Sequence, residues 1–280
     1  MPAVQLNGAD VTVRRFVGPS VIPGRFVFFG TSAAGGTCAT AATWTYGAVP
    51  TRTAPLAGAA AGVWTIAEIG PGGVISGSNN SLTISHCTAG ICTTGFPLCL
   101  SCAGSLTGVT IGTIAQRAVL HSFNHLVVNT QTGDTLFRLP FPANIHVEGA
   151  AFSPNEDTMY FAGGDSVIMA ASASGTVFRT LTLSGVQVVG VGRDELRPWI
   201  YLAALGAGSV PQLIILERGS LATIAVLRAP SSVTLPTVNW QQFRVVADPL
   251  GTRVYVVATV QALGVHTSVS RILSYEVTAP

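Results

Sequence analysis

The chain contains no lysine. Its 14 basic residues are all arginine, set against 12 acids, and charged residues fill only 9% of the 280 positions. A typical soluble domain carries about 25% charged residues. The arginines are scattered, so no basic face is legible, and electrostatic binding to nucleic acid is disfavoured. No run of 18 apolar residues occurs, which excludes an apolar helix long enough to span a bilayer. The first residues, "MPAVQLNGADVTVRR", lack the apolar core of a signal peptide. No helical periodicity persists beyond about two turns. The G-x-S-x-G elbow, the phosphate-binding loop and the EF-hand loop are all absent.

What is present is apolar and small. Hydrophobic residues make up 48% of the chain, accompanied by 31 glycines and many Thr and Ser. β-Branched residues fit pleated strands, and glycine supplies the positive φ of tight turns. The composition therefore predicts an all-β fold of short strands. At this length one core can bury most of its apolar surface.

The stretch "AFSPNEDTMYFAGG", residues 151–164, has a counterpart in "RVVADPLGTRVYVVAT", residues 244–259. Aligning Pro154 with Pro249 sets Tyr160 on Tyr255. A weaker copy, "VVGVGRDELRPWIYLAAL", centres on Tyr201. Fainter copies centre on Phe28, Val74 and Val119. The six centres are separated by 46, 45, 41, 41 and 54 residues. A period near 40 to 45 residues, with about four short strands each, is the pattern of a propeller blade. In the fourth unit the strands read "VEGAAF", "TMYFA", "SVIMAA" and "VFRTLTL", joined by links rich in turn-forming residues. One domain over 1–280 is expected, a β-propeller of six four-stranded blades, with a cysteine-rich loop at 86–103. The strand Ala9–Phe16 is expected to close the ring by pairing with the last blade, which lacks its outer strand. Seven blades, with a degenerate one in 30–70, is the alternative.

The Ser/Asp-Pro, turn, Tyr-Val pattern resembles the repeats of YVTN-type and lactonase-like β-propellers. It covers Phe152 to Ala162 and Val246 to Ala258 well, and a third unit in part. The usual Asp-Gly-Lys turn is replaced by Asn155-Glu156-Asp157 in one copy and Leu250-Gly251-Thr252 in the other. The resemblance implies a propeller and permits many activities.

Cys87, Cys92, Cys99 and Cys102 are spaced C-x4-C-x6-C-x2-C, unlike a zinc ribbon. Two disulfides, buried thiols, or a metal or redox site remain open readings, with Cys38 apart. Disulfides would place the protein in an extracellular or periplasmic compartment, as a secreted protein. His121 and His125 share a strand-turn-strand segment and read as backbone-bonded residues. The acid pairs Glu156-Asp157 and Asp194-Glu195 recur at one turn and read as turn solvation. Asn79-Asn80-Ser81 is a glycosylation triplet, relevant only in a secreted chain.

Ligand sites on a propeller gather at loops near the axis. Those positions fall on Asn80, His125, His146, Asp165 and His266. Glu68, Glu148 and Gln241 lie on or beside innermost strands. No metal site and no cofactor is assigned. The preferred reading is a non-catalytic module that binds protein or glycan. The alternative is a lactonase-like hydrolase with an axial site, where a divalent metal would sit among carboxylates and imidazoles.

Overall fold

The computed structural model describes strand backbone before residue 108, and backbone with side chains for most of 109–277. Positions 113, 131, 143, 231–237, 249 and 263–267, and some strand side chains after 237, lie outside the described residues. Two compact units divide the chain, Met1–Leu136 and Phe137–Pro280.

In the first unit, a five-stranded sheet comprises β1 (Val4–Leu6), β2 (Ala9–Pro19), β3 (Arg25–Ser32), β4 (Ala39–Thr45) and β5 (Thr51–Pro55). A four-stranded sheet follows, of β6 (Thr65–Gly70), β7 (Gly73–Ser78), β8 (Ser81–Thr88) and β9 (Ile91–Cys99). The next has β10 (Gly108–Gly112), β11 (Arg117–His121), β12 (Leu126–Asn129) and β13 (Thr135–Arg138).

The second unit continues with β14 (Gly149–Phe152), β15 (Thr158–Gly163), β16 (Ser166–Ala171) and β17 (Val177–Thr182). Then come β18 (Gln187–Arg193), β19 (Trp199–Leu205), β20 (Pro211–Glu217) and β21 (Thr223–Arg228). The last sheet holds β22 (Val238–Ala247), β23 (Arg253–Ala262) and β24 (Ser268–Glu276). Neighbouring strands within each sheet follow one another in sequence, so each sheet is an antiparallel meander.

The repeat is visible in the turns. Between first and second strands, the Ser153 N–H bonds the Thr158 carbonyl, Asp194 bonds Trp199, and Asp248 bonds Arg253, at 2.8, 3.1 and 2.8 Å. Between third and fourth strands, Asn129 bonds Asp134, Ala171 bonds Thr176, and Glu217 bonds Ala222, each at 2.8 Å. These last turns require a left-handed residue, supplied by Gly133 and Gly175 at φ 78° and 72°. In the third it is Leu221, at φ 57°. A leucine is disfavoured there, but its side chain is buried in the core beneath, and that burial offsets the strain.

Alternation along β19 explains how the sheets stack. Trp199, Tyr201, Ala203 and Leu205 enter one core with Phe243, Val245, Val254, Val256 and Tyr275. Ile200, Leu202 and Ala204 enter another with Ala151, Tyr160 and Val167. A period-two strand buried on both faces thus serves two neighbours. The first strands approach closely through glycine. A Cβ on Gly149 would stand 2.6 Å from the Val191 nitrogen, and one on Gly192 2.7 Å from the Val245 carbonyl oxygen.

The strand Ala9–Phe16 lies within β2, where β1 pairs with Ala9–Val11 and β3 pairs along the other edge. The last sheet holds three strands among the described residues. One expectation needs correction. The cysteine-rich segment 86–103 is not simply a loop, because β8 and β9 occupy Ser81–Thr88 and Ile91–Cys99.

Candidate functional site

After β13 the chain reaches β14 through Leu139–Ile145. Pro140 and Pro142 restrict the backbone there, and the Ile145 N–H closes a turn on the Pro142 carbonyl at 2.9 Å. This delivers His146, buried Val147, and Glu148, whose N–H bonds the Ala162 carbonyl at 2.9 Å. Gly163 makes the approach possible, since a Cβ there would meet the His146 carbonyl oxygen at 2.4 Å. Residues two apart on extended chain share a face. Accordingly His146 Nδ1 and Glu148 Oε1 stand 3.5 Å apart, with both side chains largely withdrawn from solvent.

Arg244 belongs to the same electrostatic set. It lies on β22 between Phe243 and Val245, which turn into the core shared with β19. Its own side chain is buried, and Nη1 donates to the Phe243 carbonyl at 3.1 Å. Burial pushes the guanidinium down to about 10, with the Glu148 charge pulling the other way. At neutral pH it remains cationic. The Glu148 carboxylate thus stands 3.5 Å from an imidazole and interacts electrostatically with a buried guanidinium. That suits a polar ligand group, or proton exchange at the ring. Among the described residues no group of three His, Cys, Asp or Glu is placed to hold a metal ion.

Asp165 is exposed in the β15–β16 turn and accepts a hydrogen bond from the Ser166 hydroxyl at 3.0 Å. His125 is buried at φ 54° in the β11–β12 turn, in the first unit. Glu68 is paired by backbone register with Val74, and Gln241 with Val260. Their side chains, and Asn80 and His266 altogether, lie outside the described residues. Backbone register sets Cys87 opposite Cys92 and Cys99 opposite Leu82. Cys102 and Cys38 lie outside the described residues.

A second polar network was misread as turn solvation. Asp194 is 1% exposed. Its Oδ1 accepts the N–H groups of Leu196 and Arg197 at 2.8 and 2.9 Å. Its Oδ2 accepts Arg197 Nε at 2.8 Å and the Tyr201 hydroxyl. Burial, which would raise the Asp194 carboxyl, is outweighed by the bonds from Tyr201, from the Arg197 and Leu196 backbone, and from the guanidinium, so its pKa is lowered. Tyr201 moves the opposite way, raised by burial and by the Asp194 carboxylate. Arg197 lies 4.0 Å from the Trp199 ring centroid and donates to the carbonyls of Gly251 at 2.6 Å and Val277 at 3.3 Å. Arg193 reaches the other way, to the carbonyls of Phe152 and Ser153 at 3.0 and 2.9 Å. The turn thus ties three successive sheets together. Its signal lay in the spacing of Asp194, Arg197, Trp199 and Tyr201, which places two donors within reach of one acid.

No protein-family model matches the chain, and no curated protein matches it in sequence. A chain in a crystal structure of the mitotic checkpoint complex is similar in structure, with a TM-score of 0.66 at 12% identity. The match covers 98% of this chain and 77% of that one. The fold is a β-propeller. Each four-stranded meander is then a blade. The pair His146–Glu148 directly precedes β14, the first strand of its blade, and the Asp194 network joins blades. The fourth strands β13, β17 and β21 form outer edges.

Those edges carry a repeated feature. Two residues past the turn-closing Asp134, Thr176 and Ala222 stand Leu136, Phe178 and Ile224. They are 39, 56 and 39% exposed. Phe178 and Ile224 are also the extra residues of bulges. Arg179 pairs with Met169 and Val177 with Ala170, while Ala225 pairs with Ile215 and Thr223 with Leu216. A bulge bends the strand and re-aims a side chain.

Proposed function

We propose that this protein is a non-catalytic, six-bladed propeller of YVTN-like repeats that binds protein partners. One observation carries the reading: large apolar side chains recur at one outward position in successive blades. Scattered exposed hydrophobes are ordinary, but a position refilled with Leu136, Phe178 and Ile224 supports selection for contact. Interfaces are anchored by such side chains and framed by polar groups. The six sheets support the blade count. The solved chain of similar fold belongs to a multiprotein assembly, which is consistent with this use.

A photo-crosslinking amino acid placed at Phe178, Ile224 or Leu250 of the full chain, expressed in its native host, tests the reading. Discrete protein adducts at an outer-edge position are expected. No adduct at any scanned position would overturn it.

A second reading, a lactonase-like hydrolase, is favoured by the 3.5 Å approach of His146 to Glu148. Hydrolysis of an ester or lactone panel that Glu148→Gln lowers at least about 100-fold, in line with loss of an acid–base group, would establish it.

The opposed positions of Cys87 and Cys92 support a cross-strand disulfide. Opposed Cα atoms stand about 4.5 to 5.5 Å apart, inside the range a disulfide spans.

A further inference from the structure

We infer that the outer edge of the β14–β17 blade, at Phe178 and Arg179, binds an acidic segment of another protein that carries an apolar anchor residue. This rests on the protein-binding reading and names its surface and its partner's chemistry. The bulge takes Phe178 out of the ladder with β16, and the ring is more than half exposed. Val177 beside it is 40% exposed. Phe137 packs under the preceding turn, where a Cβ on Gly175 would stand 2.7 Å from its ring. The apolar surface therefore rests on a fixed floor.

Charge selects the occupant. Arg179 is exposed and has no ion-pair partner among the described residues. The fourth strands Thr135–Arg138, Val177–Thr182 and Thr223–Arg228 each hold one arginine and no acid. A second copy of this chain would set arginine against arginine across the same edge. An acidic segment meets Arg179 with the opposite charge while an apolar residue covers Phe178. Charge of this kind sets specificity and encounter rate, and the aromatic ring supplies the desolvated anchor.

The probe is a fluorescein-labelled twelve-residue peptide of Leu and Glu, read by anisotropy against the purified full chain. A Leu/Lys peptide is the control. The Leu/Glu probe is expected to bind, to weaken with salt, and to outbind the Leu/Lys probe by about tenfold or more. Arg179→Glu should reverse that preference, and Phe178→Ser should weaken both probes. Ile114→Ser, an exposed change in another turn, should leave binding unchanged. Circular dichroism checks that each variant stays folded. Equal binding of both probes, or binding indifferent to Arg179→Glu and Phe178→Ser, overturns the inference. If adducts form in the host at Ile224 or Leu250 but not at Phe178, this surface is wrong and the protein-binding reading stands. If none form anywhere, the broader reading fails.

Discussion

The turns at Ser153 and Asp194 occupy the same place in adjacent blades and close with the same backbone bond. Their side chains behave differently. Ser153 Oγ stays local, bonding Asn155 and Asp157 at 2.8 and 2.9 Å and accepting the Thr158 N–H at 3.1 Å. Asp194 instead gathers a guanidinium and a phenol, and through Arg197 reaches the next blade. The backbone position is generic, since both turns have a tyrosine seven residues on; the reach depends on the Asp194 carboxylate and on an arginine three residues on.

The comparison breaks most sharply at Asp194. Asp194→Ala leaves a buried phenol and a partly buried guanidinium without their anion, and should cost about 3 to 5 kcal/mol in urea unfolding. Ser153→Ala, at the equivalent place, should cost only about 1 kcal/mol. Equal losses would show that the inter-blade reach contributes nothing.

Between those values lies a steric test. Gly192→Ala forces a methyl onto the Val245 carbonyl and should cost about 1 to 3 kcal/mol by the same measurement.

The pH dependence distinguishes the two turns further. The Asp194 carboxyl is lowered in the folded state, so the unfolded chain binds its proton more readily. Its contribution is complete above the ordinary carboxylate range, and is lost as pH falls through the lowered folded value. Acid titration of stability should therefore be flatter in Asp194→Asn than in the native chain. Asp157, beside Ser153, is also lowered, chiefly by the Ser153 bond and those of Thr158 and Asn155. It is exposed, so its effect should be the smaller. Smallest of all is Glu195→Gln. It removes the exposed 2.6 Å pair with Arg193 and should change stability by no more than about 1 kcal/mol.

Much of the architecture was legible because turn chemistry punctuates it. The six repeat centres, Phe28, Val74, Val119, Tyr160, Tyr201 and Tyr255, fall on β3, β7, β11, β15, β19 and β23, every fourth strand. The strands read in the fourth unit match β14 to β17 within two residues. Ring closure was not legible, because no turn joins the first strand to the last. Asp194 was misplaced because an Asp beside a Glu in a turn looks solvated until the third dimension brings Tyr201 over it. Among the described side chains of the second unit, His146 and Glu148 stand together, and their i, i+2 spacing was there to be read. Arg244 was missed, since a lone arginine in an apolar strand carries no local signal. Phe178 and Ile224 were missed for another reason: a bulge resets the count of two on which inward and outward assignments rest.

The wholly buried strand β19 has a consequence for how the second unit comes apart. Its residues are divided between the cores on either side, so neither flanking blade can leave without stripping one of its faces. The three sheets of the second unit should therefore melt in a single transition, unlike a stack of separable repeats. Hydrogen exchange at Tyr201 and Leu202 should report that shared event from both sides at one rate.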